Sequence, residues 1–216
     1  MPAVVLAVAL WVRLDPASPP FQPLDDAWLG LMGGAHGGLP WAVAEGFDHG
    51  AEGRIAGAAL LSSAGVLTAL RRWRSALFVL TAFAATAAVT GLLKTIGDRP
   101  RPEDIMVDVS SNAFPSGHSS RVACLVVVVA VVAIPAAGRW WWPVGALLVL
   151  GMVWARTWQH AHWLTDTIGG VATGLGVAML CWRAFDPMLR RERSQRAGGD
   201  PEAPPRSGDA RSGAAD

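Results

Sequence analysis

Three short stretches of this chain carry groups that belong together chemically. The first runs Lys94-Thr-Ile-Gly-Asp-Arg-Pro-Arg101-Pro102, the second Pro115-Ser116-Gly117-His118, and the third Arg156-Thr-Trp-Gln-His-Ala-His162-Trp-Leu-Thr-Asp166. Lys94, Arg101 and Arg156 are three cations suited to an oxyanion with several oxygens, and a guanidinium fork holds two oxygens at once. Ser116-Gly117, just ahead of an apolar run, reads as a helix start whose backbone N–H groups aim at an anion. His162 and Asp166 are four apart and share a helix face. A carboxylate there fixes the imidazole tautomer and stabilises its positive form, which raises the nucleophilicity of the other ring nitrogen. His118 has no such partner nearby in sequence and is free to protonate a leaving oxygen as general acid. Phosphoryl transfer asks for charge neutralisation and positioning, and this inventory supplies both. No Asp/Glu cluster and no Cys/His set has metal spacing, so the expected site uses no metal and no cofactor.

One count sharpens the first stretch. The chain has seventeen arginines and a single lysine, Lys94, and no tyrosine. Where Arg serves almost every cationic need, a retained Lys marks a spot that takes a compact ammonium. The two cysteines, Cys124 and Cys181, lie inside apolar runs without disulfide or metal spacing and read as small buried residues.

These groups must be held by elements, and the elements are apolar. Of 216 residues, 52% are hydrophobic and only 16% charged. Long apolar stretches alternate with short Arg-bearing ones, the pattern of a polytopic membrane protein and not of a soluble core. A net charge of +1 leaves no nucleic-acid footprint. The fold class expected is an all-α, polytopic membrane helix bundle of about six transmembrane helices. The apolar segments fall at residues 3–12, 55–70, 75–93, 119–137, 143–155 and 167–184. The first is shorter than a span needs, and is read as a spanning helix whose start lies upstream of Met1. Residues 15–24 are Pro-rich and cannot continue a helix. Residues 25–48 open on Asp25 and Asp26, carry Trp28 and Trp41, and are broken by Gly33, Gly34, Gly37, Gly38 and Pro40. They read as an interfacial helical segment. Gly170 and Gly174 have the spacing that lets helices approach closely. The membrane domain is set at 1–188, followed by a tail, 189–216, that opens with Arg190, Arg191, Arg193 and Arg196 and turns Pro/Gly/Ser-rich and disordered.

The basic turn at 71–74, Arg139 and the basic start of the tail fall on one side, which the positive-inside rule makes cytoplasmic. The loop 95–117 and the connection 156–166 fall on the other, extracytoplasmic side. Lys94, Arg99, Arg101, His118, Arg156, His160, His162 and Asp166 all collect there. Ionisable residues at span ends can snorkel, but eight on one face read better as a site.

The three stretches resemble the three signatures of the type 2 phosphatidic acid phosphatase family, which also includes vanadium haloperoxidases. Lys94 to Arg101-Pro102 matches the first in spacing, residues 115–118 match the second in full, and Arg156, His162 and Asp166 match the third in spacing. The resemblance covers about residues 50–185. It implies that His162 attacks phosphorus and forms a phosphohistidine, that Asp166 orients it, and that His118 protonates the departing group. It implies that Lys94, Arg101, Arg156 and Ser116-Gly117 hold the phosphate oxygens and that water completes hydrolysis without a metal. Two positions depart from the family pattern. Ala155 stands where Ser usually precedes the Arg, which removes a hydroxyl contact of about 0.5–1.5 kcal/mol, and Leu164 stands where Pro is common.

Other residues are weighed against this reading. His160 is six residues from Asp166, off the shared face, and does not fit the motif. Arg99 has the wrong spacing and reads as a headgroup or loop cation. Glu103, Asp104 and Asp108 read as solvated loop acids, His36 and His49 as interfacial, and the tryptophans as bilayer anchors. Arg121 can face either lipid phosphate or the site. The leading function is a membrane phosphatase acting on a lipid phosphate or pyrophosphate of the undecaprenyl pyrophosphate, phosphatidic acid or phosphatidylglycerol phosphate type. The alternatives are a non-hydrolytic lipid-phosphate binding or transport protein and a vanadate-dependent peroxidase. The partners expected are the lipid substrate and the bilayer, with no nucleic acid. Nothing in the sequence sets an oligomeric state.

Overall fold

Backbone polar groups in hydrocarbon have no water to bond, so an apolar run must pair them within itself as a helix. The computed structural model describes residues 2–32, 36–109, 111–133, 138–196 and 198. Among these the chain forms α1 (Pro2–Leu14), α2 (Gln22–Met32), α3 (Gly38–Gly50), α4 (Gly53–Ala69), α5 (Trp73–Gly97), α6 (Gly117–Val132), α7 (Gly138–Trp158) and α8 (Leu164–Arg196). The chain is an all-α helix bundle of the membrane type. Six helices, α1 and α4 to α8, coincide with the six apolar segments. The interfacial stretch becomes α2 and α3, and Gly33 and Gly34 lie outside the described residues.

Two helices, α5 and α8, are long and apolar enough by themselves to cross a bilayer, against the six spans expected. For α1, α4 and α6 the shortfall is one of length, whereas α7, with 21 residues, is long enough but is made less apolar by Arg139, Trp140, Trp141, Trp142, Pro143 and Arg156. Helices α1, α4 and α6 have 13, 17 and 16 residues. At about 1.5 Å per residue they reach roughly 20–26 Å, short of a hydrocarbon core of about 30 Å.

The tightest packing joins α6 to α8. Lipid tails are as apolar as Leu, so helices in a membrane associate through close van der Waals contact. Gly170 and Gly174 provide it: a Cβ at Gly170 would meet the carbonyl oxygen of Ser116, and one at Gly174 the carbonyl oxygen of Ser120. Phe78, Val79 and Ala82 of α5, Cys124, Val127 and Val128 of α6, and Ala178 of α8 fill the centre. Cys124 and Cys181 are both free thiols, the first buried.

At the end of the bundle away from the site, α4 turns into α5 through a Schellman close. Arg71 adopts a left-handed conformation (φ 58°), and the N–H of Arg72 donates to the carbonyl of Leu67 at 2.7 Å. Glu192 is buried there. It accepts from the backbone N–H of Arg74 (2.9 Å) and of Ser75 (3.3 Å), capping α5 from another helix. Arg72 and Arg193 donate in turn to the last carbonyls of α6, Val132 and Val131, each at 2.7 Å. Glu192 and Arg193 lie past residue 188, in the stretch read from the sequence as tail. Helix α8 continues through Arg196 because Leu189 and Glu192 are buried against the bundle. The Pro/Gly/Ser-rich stretch expected to be disordered lies almost wholly outside the described residues.

Candidate functional site

The opposite end of the bundle gathers the C-termini of α5 and α7 and the N-termini of α6 and α8. The loop 98–116 lies over this end and is pinned to the α7–α8 connection. Met106 N–H donates to Gln159 O (3.1 Å), and the Trp163 indole N–H donates to Pro100 O (2.9 Å). The N–H of Ser116 donates to the carbonyl of Asp166 (2.9 Å), which ties the start of α6 to the start of α8. All three chemical stretches therefore meet around one cavity of about 820 Å³. Lys94, Arg101, Gly117, His118, Arg156 and His162 line it, joined by Arg121.

His162 sits on the turn between α7 and α8 and is 2% exposed. Its Nε2 lies 3.3 Å from an Arg101 guanidinium nitrogen, and its Nδ1 lies 3.7 Å from Asp166 Oδ2. Guanidinium only donates, so Nε2 is the acceptor and the ring proton belongs on Nδ1, facing the carboxylate. Burial first, then Arg101, Arg156, Lys94 and His118, hold the His162 pKa well below its ordinary value. The ring at rest is therefore neutral, with its free lone pair on the cavity side. Arg101 is itself lowered to about 10 by burial and by Arg156, and stays cationic at neutral pH. Besides His162 it donates to the carbonyls of Ser111 (2.8 Å) and Ala161. Lys94 donates to the Asn112 carbonyl.

Asp166 is the third residue of α8, and its Oδ2 accepts from the N–H of Trp163 just ahead of the helix at 3.0 Å, half of a capping box. Its Oδ1 accepts from Arg99 at 2.8 Å. Arg99 is thus no loop cation, as its spacing suggested. It is 1% exposed, and it also reaches Asp25 (2.7 Å) and Thr165 (2.9 Å). Helix spacing within one stretch cannot reveal a partner 74 residues away.

Asp48 is another residue that local spacing missed. It stands on α3, bonded to Arg156, and its Oδ1 lies 3.2 Å from His118 Nε2. His118, without a carboxylate nearby in sequence, has one in space. Phe47 brings α3 into place by packing against Gly151 of α7, where a side chain would collide with its ring. Asp108, expected to be a solvated loop acid, and His49, expected to be interfacial, both line the cavity.

Ser116 departs from its expected role. Its N–H is taken by Asp166, and its hydroxyl caps α6 by accepting from the N–H of Ser119 (3.4 Å). It is 0% exposed. Gly117, the first residue of α6, lines the cavity and has a backbone N–H at the helix start. His160 has a left-handed backbone (φ 50°), and neither of its ring nitrogens has a hydrogen-bond partner among the described residues. Arg121, left open by the sequence, lies where two cavities meet. It lines the polar cavity and also an apolar groove of about 500 Å³ between α4, α5 and α6, walled by Leu60, Leu67, Phe83 and Leu125.

Known proteins resemble this chain in sequence and in fold. The pattern of the PAP2 superfamily matches residues 75–188. A curated relative, phosphatidylglycerophosphatase B of Bacillus subtilis (strain 168), is 30% identical over 167 residues, spanning 72% of this chain and 81% of the relative. The crystal structure of a transmembrane PAP2 type phosphatidylglycerolphosphate phosphatase from Bacillus subtilis superposes with a TM-score of 0.71. It covers 88% of this chain and 98% of that one at 24% identity, a likeness of fold.

Proposed function

Because this chain belongs to the PAP2 superfamily and is a membrane hydrolase of lipid phosphates, we propose that it removes a phosphate from a phosphatidylglycerol phosphate-type lipid through a phosphohistidine on His162. The relative's name favours this lipid over the phosphatidic acid and undecaprenyl pyrophosphate types. The observation that carries the reading is the convergence on one cavity of His162, His118 and the cations Lys94, Arg101, Arg121 and Arg156.

In this mechanism the neutral Nε2 of His162 attacks phosphorus while the phosphate oxygens rest on Lys94, Arg101, Arg156 and the N–H of Gly117. Nδ1 keeps its proton and closes on Asp166 as the ring becomes positive, a contact that tightens from the looser resting geometry. His118, protonated from solvent once the bound phosphate offsets the surrounding cations, gives that proton to the departing lipid oxygen, then takes one from the water that cleaves the phosphorus–nitrogen bond. The cations supply the charge that the phosphoryl oxygens require, so no metal enters. The lipid tail lies in the apolar groove, which meets the polar cavity at Arg121. All six apolar helices cross the bilayer, the short ones where the bilayer is locally thinned. The site faces the extracytoplasmic side, opposite the Arg-rich turns and tail.

The test is His162→Ala in the full-length protein purified in detergent, assayed on a panel of lipid phosphates with EDTA present. Phosphate release should fall to background with the melting temperature retained, and the unmodified protein should work in EDTA. An active His162→Ala sinks the nucleophile assignment, and loss of activity in EDTA sinks the metal-free mechanism.

A further inference from the structure

Behind the cavity lies a buried charge group that the mechanism above does not use. Asp25 of α2, Arg99 of the loop and Asp166 of α8 all have side chains that are 0% exposed. Arg99 bridges the two carboxylates, 2.7 Å from Asp25 and 2.8 Å from Asp166. Thr165 links them again. Its hydroxyl donates to Asp25 (2.6 Å) and accepts from Arg99 (2.9 Å), and its N–H donates to Asp25 (2.9 Å). Gln22 accepts from Arg99 as well (2.5 Å), and the rings of Phe21 and Trp163 each flank the guanidinium at 5.3 Å.

Two carboxylates share one guanidinium, so the group keeps one net negative charge. That charge matters at one place. His162 is surrounded by Lys94, Arg101 and Arg156, all of which oppose a positive ring. Attack on phosphorus makes the ring positive, and Asp166 is the carboxylate beside it. Were Arg99 to pair with Asp166 alone, its full charge would cancel the carboxylate that His162 needs. Asp25 draws one end of the Arg99 fork to itself and leaves Asp166 with charge to spare. Stability alone is a weak reason for such a group, because a buried ion pair is often no better than a well-packed apolar replacement.

We propose that Asp25, acting through Arg99 and Thr165, is a positioning residue for the reaction: it holds Asp166 in place and takes a share of the Arg99 charge, so that the Asp166 carboxylate is not fully offset toward His162. This rests on His162 being the nucleophile, and its own test separates the two. The substitution is Asp25→Asn, which keeps the shape but removes the charge and turns one of the two accepting oxygens into an NH2 donor. On phosphatidylglycerol phosphate in mixed micelles, kcat should drop about 10- to 100-fold. KM and inhibition by inorganic phosphate should stay within about twofold, because the cavity cations are untouched. Acid-labile phosphoenzyme should form more slowly by the same factor. Wild-type kcat in a folded Asp25→Asn overturns the proposal, and so does a loss that tracks only the fraction of folded protein. If Asp25→Asn does not fold, Thr165→Val takes its place. It removes one linking hydroxyl and should lower kcat about 2- to 10-fold, and an unchanged kcat there overturns the proposal. His162→Ala run alongside distinguishes the failures. If it is inactive, the Asp25 result stands on its own. If it is active, the nucleophile reading fails and the positioning role fails with it.

Discussion

A single imidazole carries much of the behaviour expected of this protein. His162 is buried and neutral in the fold because burial and neighbouring cations outweigh Asp166 at 3.7 Å. Its lone pair is therefore available at neutral pH and below it. The same fact sets a pH dependence of stability. Unfolding exposes an ordinary histidine, which takes up a proton below pH 6.5, while the folded ring resists doing so until lower pH. The contribution to stability is thus complete above 6.5 and falls as pH drops below that value, at up to about 1.4 kcal/mol per pH unit. Melting temperatures in detergent should decline toward acid pH less steeply in His162→Gln than in the unmodified protein. Equal slopes would remove His162 from this account. Asp48 is the counterpart on the other side of the cavity. It joins His118 to Arg156, so an incoming phosphate contends with a carboxylate already in contact with two of the groups it needs.

At the scale of elements, the distance between α6 and α8 sets the geometry of the site. Helix α6 begins at Gly117-His118 and α8 at Leu164, two residues after His162, and the two approach backbone to backbone at Gly170 and Gly174. Gly174→Val should force them apart, cost about 1–3 kcal/mol as an overpacked contact, and lower kcat by separating His118 from His162. A thermal shift assay and the phosphate-release assay read the two effects. A variant as stable and active as the original would show that the approach is not needed. This spacing was legible in the sequence, as were the helices themselves, because helix periodicity converts spacing into shared faces; His162 does meet Asp166, but from the turn ahead of α8 and not from a shared helix face. The lengths of the helices were less legible, since an apolar run does not announce where its hydrogen bonding stops. The catalytic end also draws on α2 and α3, which looked like interfacial pieces. Asp25 and Asp48 are single acids in unremarkable local contexts. Only the fold, which sets Asp25 140 residues from Thr165 in sequence and 2.9 Å away in space, reveals them.

Across the whole molecule, the bundle is fastened at two ends by different means. The site end is held by Arg99 and its carboxylates, the far end by Glu192 on the start of α5 and by Arg72 and Arg193 on the end of α6. The second fastening uses residues that composition assigns to a tail, because a run of arginines followed by small residues looks solvated whatever it touches. A chain ended after Arg196 keeps every one of these contacts and should melt and turn over like the full-length protein. A chain ended at residue 188 loses Leu189, Glu192 and Arg193, and with them about 3–5 kcal/mol if the buried glutamate behaves as a broken buried pair does. Equal melting temperatures for the two shortened chains would refute this. For the gene, a nonsense mutation in the codon after Arg196 should pass unnoticed in the phosphatase, whereas one eight codons earlier, although far from every group that touches phosphate, should behave as a loss of the protein.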